Sequence, residues 1–267
     1  MKRILSIALC VVLMVSCLAS CSLFGNKSDL EAIKDAKKIV VGVTVYPPMD
    51  YVNSDTGLWE GFDAELAQMF AESLDVNCQI VIIDWNNKVA ELKSRQIDLI
   101  WNGMTASDEL AEQIDLSVPY AKNAQVAIVK SNSSITKDNI QNAIVAVENG
   151  SAGEDVAREV IGVSDSKLVE KSDGQVSALQ EVLSGNAEVA IVDLTLATSV
   201  LGEGIYADLK LVDDAVYGEE IFAVGLRKDS DLKEALDAFL REKYADGTLA
   251  ELAEKYTVVL NEDTLAE

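Results

Sequence analysis

Two hydrophobic periods alternate along this chain. The apolar runs "KKIVVGVTVY", "QIVIID" and "IDLIW" have the length and β-branched content of buried strands. Between them, "GFDAELAQMFAESL" sets Leu66, Met69, Phe70, Ser73 and Leu74 near one helical face, and "NNKVAELKSR" predicts a second helix. The pattern then restarts. "AQVAIVK", "NAIVAVENG", "KLVEK" and "AEVAIVD" read as strands, and "SAGEDVAREVIG" and "DGQVSALQEVLSG" as helices. Ser151 can cap the first of these helices, with Glu154 at capping-box spacing. "GEEIFAVGLRKD" is extended, and "DLKEALDAFLREKYADG" and "LAELAEKY" close the chain as helices. Such alternation predicts an α/β fold of mostly parallel sheets flanked by helices.

Two stretches share a build. "AELKSRQIDLIWNG" and "QEVLSGNAEVAIVDL" each run helix, polar turn, apolar strand, polar end. One ends at Asn102-Gly103 and the other at Asp193, which predicts two similar lobes. Ligands in open α/β sheets sit beyond such strand ends, so facing lobes would enclose one. Pro47-Pro48 fixes the turn after the first strand. Pro119 marks a candidate crossover between lobes, and "VYGEEI" at 216–221 a candidate return.

The N-terminus adds a targeting segment. A basic "MKR" precedes an apolar run over residues 4–18, long for a secretory signal and short for a membrane span. It ends in Leu18-Ala19-Ser20-Cys21, which resembles a bacterial lipobox whose cysteine carries lipid. Cys17 fits less well, and an uncleaved anchor is the alternative. The expected layout is a signal peptide over residues 1–20 and a lipid-anchored tether over 21–35. The globular part would then be held at the membrane on its extracytoplasmic face. Of four cysteines only Cys78 would remain beside the lipid site, so no internal disulfide is expected, and Cys78 reads as a core residue.

Charge and composition exclude several chemistries. The net charge is −23, which argues against nucleic acid, whose binding rests on clustered Lys and Arg. The absence of histidine removes Ser-His-Asp and Cys-His catalysis and His-ligated zinc. No metal or cofactor is expected. Carboxylates, lysines and tyrosines remain for acid–base work.

Several motifs, taken together and in this order, carry a family resemblance: "IVVGVTVYPPMDYV", "GLWEGFDAELAQMFAESL", "DWNNKVAELKSRQIDLIWNGMTASDE", "IDLSVPY", "VAVENGSAGED" and "LSGNAEVAIVD". The chain resembles the family 3 extracellular solute-binding proteins of bacterial ABC importers, over most of residues 38–226. The resemblance implies a two-lobe periplasmic-binding-protein-like fold of type II with two crossover hinge strands. Lobe 1 would comprise 36–121 and 221–267, and lobe 2 122–220. It implies a monomer that captures an amino acid or amine and hands it to an ABC permease. A dehydratase-like enzyme on the same scaffold, with Glu148 as its acid, and a sensory lipoprotein are the alternatives.

The resemblance also implies a site. Tyr46 and Trp85 would be aromatic walls, worth about 0.5–2 kcal/mol to a cationic ligand; their other reading is as core aromatics. Asn102, Gly103 and Thr105 lie where the family binds ligand, or are plain turn chemistry. Ser151, Ala152 and Gly153 open a helix that could seat an anion, or be simply capped. Asp193 matches the carboxylate that pairs with an α-ammonium, and could also N-cap the helix "LTLATSVL". Leu110 stands where amino-acid binders usually carry an arginine for the α-carboxylate. Losing such a charged bond costs roughly 1.5–3 kcal/mol. Glu148 adds a further acid. The expected solute therefore lacks a free α-carboxylate or is net cationic. The rival is a standard amino acid whose carboxylate meets another base, with Lys88 and Lys122 nearest in sequence, and a third option is a degenerate site that binds nothing.

Overall fold

A computed structural model describes residues 27–266. The proposed leader, Cys17 and Cys21 lie outside the described residues. Helix α1 (Asp29–Ala36) comes first. It occupies residues 29–35 of the stretch expected to be a tether, and that expectation is corrected from Asp29 onward. The physical reason is a buried charge cluster. Asp29 accepts hydrogen bonds from Arg227 at 2.9 Å and Arg95 at 2.6 Å, and Arg227 also holds Asp98. Ile33 on the same helix is buried in the core.

The first block runs β1 (Lys38–Val43), β2 (Tyr51–Val52), β3 (Trp59–Glu60), α2 (Phe62–Ser73), β4 (Asn77–Ile82), α3 (Lys88–Lys93), β5 (Leu99–Ile100), α4 (Asp108–Gln113) and β6 (Asp115–Leu116). The second runs β7 (Ala121–Lys130), β8 (Val145–Glu148), α5 (Ala152–Asp155), β9 (Leu168–Lys171), α6 (Gln175–Ser184), β10 (Val189–Asp193), α7 (Leu194–Val200) and β11 (Leu209–Phe222). The chain then returns through β12 (Gly225–Leu226), α8 (Leu232–Ala245), α9 (Thr248–Tyr256), β13 (Val259–Leu260) and α10 (Glu262–Leu265).

These elements build two lobes around two mixed sheets. One sheet has the order β4-β1-β5-β12-β6 and the other β11-β7-β10-β8-β9, with β13 on β7. Strands β4, β1 and β5 are mutually parallel, as are β10, β8 and β9. The mostly parallel expectation fails at β7, β11 and β12, which join antiparallel. The reason is the route of the chain: strands that carry it out of one lobe and back must run in opposite directions. Both faces of each sheet are covered, as buried parallel strands require. Ile39, Val41 and Val43 meet Leu66 and Phe70 of α2, while Val40 faces the cluster of Ile83, Leu92 and Ile97. In the second sheet Val126, Ile128 and Val192 face α6 and α7, and Ala127, Val129 and Ile191 face Ala157 and Val163. Each large side chain so buried contributes about 1.5–3 kcal/mol.

The link between lobes is an antiparallel pair. Ala121, Lys122 and Asn123 of β7 pair with Phe222, Ile221 and Glu220 of β11. Strand β13 pairs with Lys122 and Ala121 as well. The β11 register shifts between Tyr217 and Glu220, which bends the strand just beside this link.

Candidate functional site

The lobes meet around a cavity of about 350 Å³. From the first lobe come the turn at Trp85, the loop from Asn102 to Thr105, and α4; from the second come Gln125, Glu148, the turn at Gly150, and Asp193. Polar contacts close the lobes on it. Lys88 Nζ donates to the carbonyl of Gly150 at 2.8 Å, and Ser199 Oγ donates to the carbonyl of Pro47 at 3.1 Å.

Position on the first lobe follows from local chemistry. Asn102 lies two residues past β5 and is buried. It accepts from the Thr44 amide and hydroxyl, both at 2.9 Å, and donates to Asp50 at 2.7 Å. Gly103 has φ +53°, and a Cβ there would fall 2.6 Å from the Tyr46 ring, so only glycine fits. Its amide donates to Asp63 at 2.6 Å, and Tyr120 donates to the same oxygen at 2.8 Å. Burial pushes the Asp63 carboxyl up to about 7 against these bonds. Thr105 bridges back to Phe222, and its hydroxyl donates to Glu220 at 3.1 Å.

Tyr46 departs from expectation. It is 1% exposed and lies behind Gly103 instead of in the cavity wall. The Pro47-Pro48 turn folds it inward, with Tyr46 and Asp50 exchanging backbone hydrogen bonds. Trp85 does line the cavity, but one ring face is already taken: Lys88 Nζ sits 4.8 Å from the ring centroid. Leu110 lines the wall and packs against the cluster of Ile83 and Leu92. Among the described residues no arginine lines the cavity. Of the two candidate bases only Lys88 reaches it, because Lys122 pairs with Asp263 elsewhere. Burial lowers the Lys88 pKa, opposed by Glu148 and Asp155.

The second lobe carries most of the acid. Asp193 ends β10 and is buried. It makes no side-chain cap on α7; instead it accepts from Asn123 at 2.7 Å, Gln175 at 2.6 Å and Gln125. Burial raises its pKa, while these amides favour the charged form. Glu148 ends β8 at 2% exposure, and its Oε1 has no hydrogen-bond partner among the described residues. Burial, with Asp193 adding repulsion, pushes its carboxyl up to about 8. Asp155 and Glu109 line the rim.

The helix-opening turn is less of an anion seat than its sequence implied. Ser151 Oγ accepts from the Glu154 amide at 3.3 Å and donates to the Glu148 carbonyl at 2.7 Å, so the hydroxyl serves the turn. The Glu154 carboxylate reaches the Gly150 amide at 2.7 Å, completing the capping box one residue early. Helix α5 runs on from Asp155 as a π-helical stretch, Val156–Ile161, and Glu148 and Asp155 stand nearby to repel an anion. Ser151 and Ala152 line the cavity. Gly153 does not; it packs inside the lobe, where a Cβ would lie 3.0 Å from the Ile191 carbonyl.

The structure thus brings Trp85, Asn102, Gly103, Thr105, Leu110, Glu148, Ser151, Ala152 and Asp193 to one cavity and leaves Tyr46 and Gly153 behind it. Sequence reasoning missed the amide frame of Asn123, Gln125 and Gln175, and Glu220, which accepts from Asn123 and Gln125 at 3.0 Å. One signal was available: Gln125 interrupts the otherwise apolar "AQVAIVK".

A bilobal α/β fold with a polar cavity at the lobe junction defines a small-solute-binding protein. Residues 39–259 match the family model described as bacterial extracellular solute-binding proteins, family 3, and the chain belongs to that family. It is 28% identical over 254 residues to the arginine-binding extracellular protein ArtP of Bacillus subtilis, covering 92% of this chain and 96% of that protein. It is 29% identical over 256 residues to the L-cystine-binding protein TcyJ of Escherichia coli, covering 93% and 94%. Among solved structures, a histidine-bound ABC uptake transporter substrate-binding protein from Streptococcus pneumoniae superposes with a TM-score of 0.77 at 28% identity, covering 87% of this chain and 97% of that one.

Proposed function

We propose that this protein captures a small cationic solute, a basic amino acid or a related amine, outside the cytoplasm and delivers it to an ABC permease while lipid on Cys21 holds it at the membrane. One observation carries the reading. The cavity wall sets Asp193, Glu148, Asp155 and Glu109 against a single base, Lys88, and Leu110 stands in the arginine position. Of these acids Asp193 and Glu148 are buried; a buried carboxylate without a counter-charge is costly, and a cation entering the cavity favours the charged form of both. Asp193 is the partner of its ammonium. Asn102 and Gly103 hold the opposite wall, Thr105 offers a lone pair, and Trp85 lends its free face. Contacts to both lobes favour the closed form over the open one, which is what hinge closure requires.

Lys88 supports a second version, in which a standard amino acid binds with its carboxylate on that ammonium. Two carbonyls, those of Trp85 and Gly150, already take hydrogen bonds from Lys88, leaving one N–H for such a group. The relatives described above are binding proteins; turnover of prephenate-like substrates, resting on Glu148 as a general acid, would instead point to a dehydratase.

Calorimetry and thermal shift on the mature protein test the reading, using L-arginine, L-lysine, agmatine and cadaverine against L-alanine and L-glutamate. Stabilisation by the cationic solutes is expected. Preference for agmatine over L-arginine selects a solute without a carboxylate, and the reverse selects the Lys88 version. Tight binding of only the neutral or acidic amino acids would overturn the cationic reading.

A further inference from the structure

Helix α1 leaves little chain between the folded lobes and Cys21. Its first turn is pinned: Asp29 accepts from Arg227, Arg95 and Ser230, the last at 2.8 Å, and the Leu30 amide donates to Asp231 at 3.0 Å. Ile33 is in the core, and Ser28 caps the helix through the Glu31 amide at 3.2 Å. Ser28 stands only seven positions after Cys21, and a chain of that length reaches roughly 25 Å at full extension.

The place where α1 is pinned is the end of lobe 1 opposite the cavity. Strands β1, β4 and β5 are parallel, so they start at one pole and finish at the other. Lys37, the C-cap of α1, leads directly into β1, and its carbonyl accepts from the Asn77 amide at the start of β4. Asp98, just before β5, holds Arg227 and so joins the cluster around Asp29. Trp85, Asn102 and Gly103 of the cavity wall follow the other ends of β4 and β5. Strand β1, six residues long, sets the two poles about 20 Å apart. Charge marks the same pole. Residues 27–38 carry four lysines against three acids, in a chain of net charge −23. Lys93 and Arg95 lie beside them at the turn between α3 and β5. Lys27, Lys37 and Arg95 pair with acids, which leaves Lys34, Lys38 and Lys93 without an acid partner among the described residues; all three are exposed.

We propose that the α1 pole of lobe 1 is a docking surface for an anionic lipid headgroup layer, and that it holds the cavity end of the anchored protein away from the membrane. This rests on lipid at Cys21, as read above, and specifies how the anchored molecule stands. A short tether fixed at one pole keeps that pole near the bilayer. The exposed lysines there meet the headgroups within a Debye length, while the acidic remainder of the molecule is repelled. Solute then enters from the side facing away from the membrane. It leaves by the same cavity, so delivery to a permease requires the whole molecule to roll over on its tether.

The experiment is energy transfer from a label on the protein to acceptor lipids in vesicles. It uses the full chain, purified with its lipid, in a Cys78→Ser background, so that one introduced cysteine carries the donor. Glu31→Cys places the donor on α1 at the pole, and Glu112→Cys places it on α4 at the cavity end; both positions are exposed. Vesicles are of phosphatidylglycerol with phosphatidylethanolamine, or of phosphatidylcholine alone, and thermal unfolding of each labelled protein is the folding control. Transfer from residue 31 should exceed that from residue 112 by roughly threefold or more, given the reach of the tether and the separation of the poles. Lys34→Glu with Lys93→Glu should narrow that ratio on phosphatidylglycerol and leave it unchanged on phosphatidylcholine. A ratio that ignores both the lipid charge and the two lysines would overturn the headgroup contact. Equal transfer from the two labels on protein that floats with the vesicles, or stronger transfer from residue 112, would overturn the orientation and leave the lipid reading standing. Protein that does not float with the vesicles would overturn the lipid reading, and the orientation with it.

Discussion

In the proposed reading Leu110 is the side chain that tells two kinds of solute apart. It lines the cavity from the start of α4, and no arginine substitutes for it among the described wall residues. Leu110→Arg would supply a fork that grips carboxylates with two parallel bonds. The expected outcome is tighter binding of solutes with a free carboxylate by roughly ten- to a hundredfold, from about 1.5–3 kcal/mol per charged hydrogen bond, with weaker binding of agmatine. Calorimetry of L-arginine against agmatine on the variant reads this directly; unchanged affinity for both would remove Leu110 from the specificity argument. Asp193 shows how a residue's role depends on what surrounds it. Its sequence position suited an N-cap, yet three amides claim the carboxylate and α7 starts without it.

At the scale of elements, closure depends on how closely two turns approach. Gly150 has φ +72°, and a Cβ there would lie 2.9 Å from Asn86 Cα, backbone of the opposite lobe. That contact exists only when the lobes are together. Gly150→Ala adds a left-handed strain of about 1–2 kcal/mol in every state and a collision in the closed state alone. The expected result is a solute affinity at least tenfold lower, with a thermal unfolding midpoint lowered by only a few degrees. Small-angle scattering at saturating agmatine should show the variant staying more extended than the wild type; equal compactness would contradict a role in closure. The link strands carry a related device. Thr105, Glu220, Asn123, Gln125 and Asp193 form one hydrogen-bonded chain from the first lobe, through β11 and β7, to the acid of the second. A solute that pulls on Asp193 therefore pulls on the link.

The whole molecule carries a charge of −23. Such a field draws cations toward a cavity already lined by acids. The association rate of agmatine should fall several-fold between about 20 and 300 mM salt, as the Debye length shortens from roughly 20 to 6 Å, while that of a neutral amide analogue stays level. Stopped-flow fluorescence of the mature protein checks it, and parallel salt dependence of both probes would argue against steering.

The hydrophobic pattern by itself determined the α/β class and the main alternation of strands and helices, and it suggested two similar lobes, because buried strands and amphipathic helices write their periods locally. It also pointed to Asn102, Gly103 and Asp193, since polar residues at the ends of apolar strands stand out in one dimension. Helix α1 was not legible, because its order rests on Arg227, nearly two hundred positions away. Tyr46 and Gly153 look like site residues in the chain and lie behind the wall in space, since direction out of a turn is set by what packs against it. Only the tertiary structure decided the amide frame around Asp193, the lone base Lys88 in the wall, and the unpaired oxygen of Glu148. Each depends on which distant side chains share a small buried volume, and in such a volume one missing donor decides which charge is welcome.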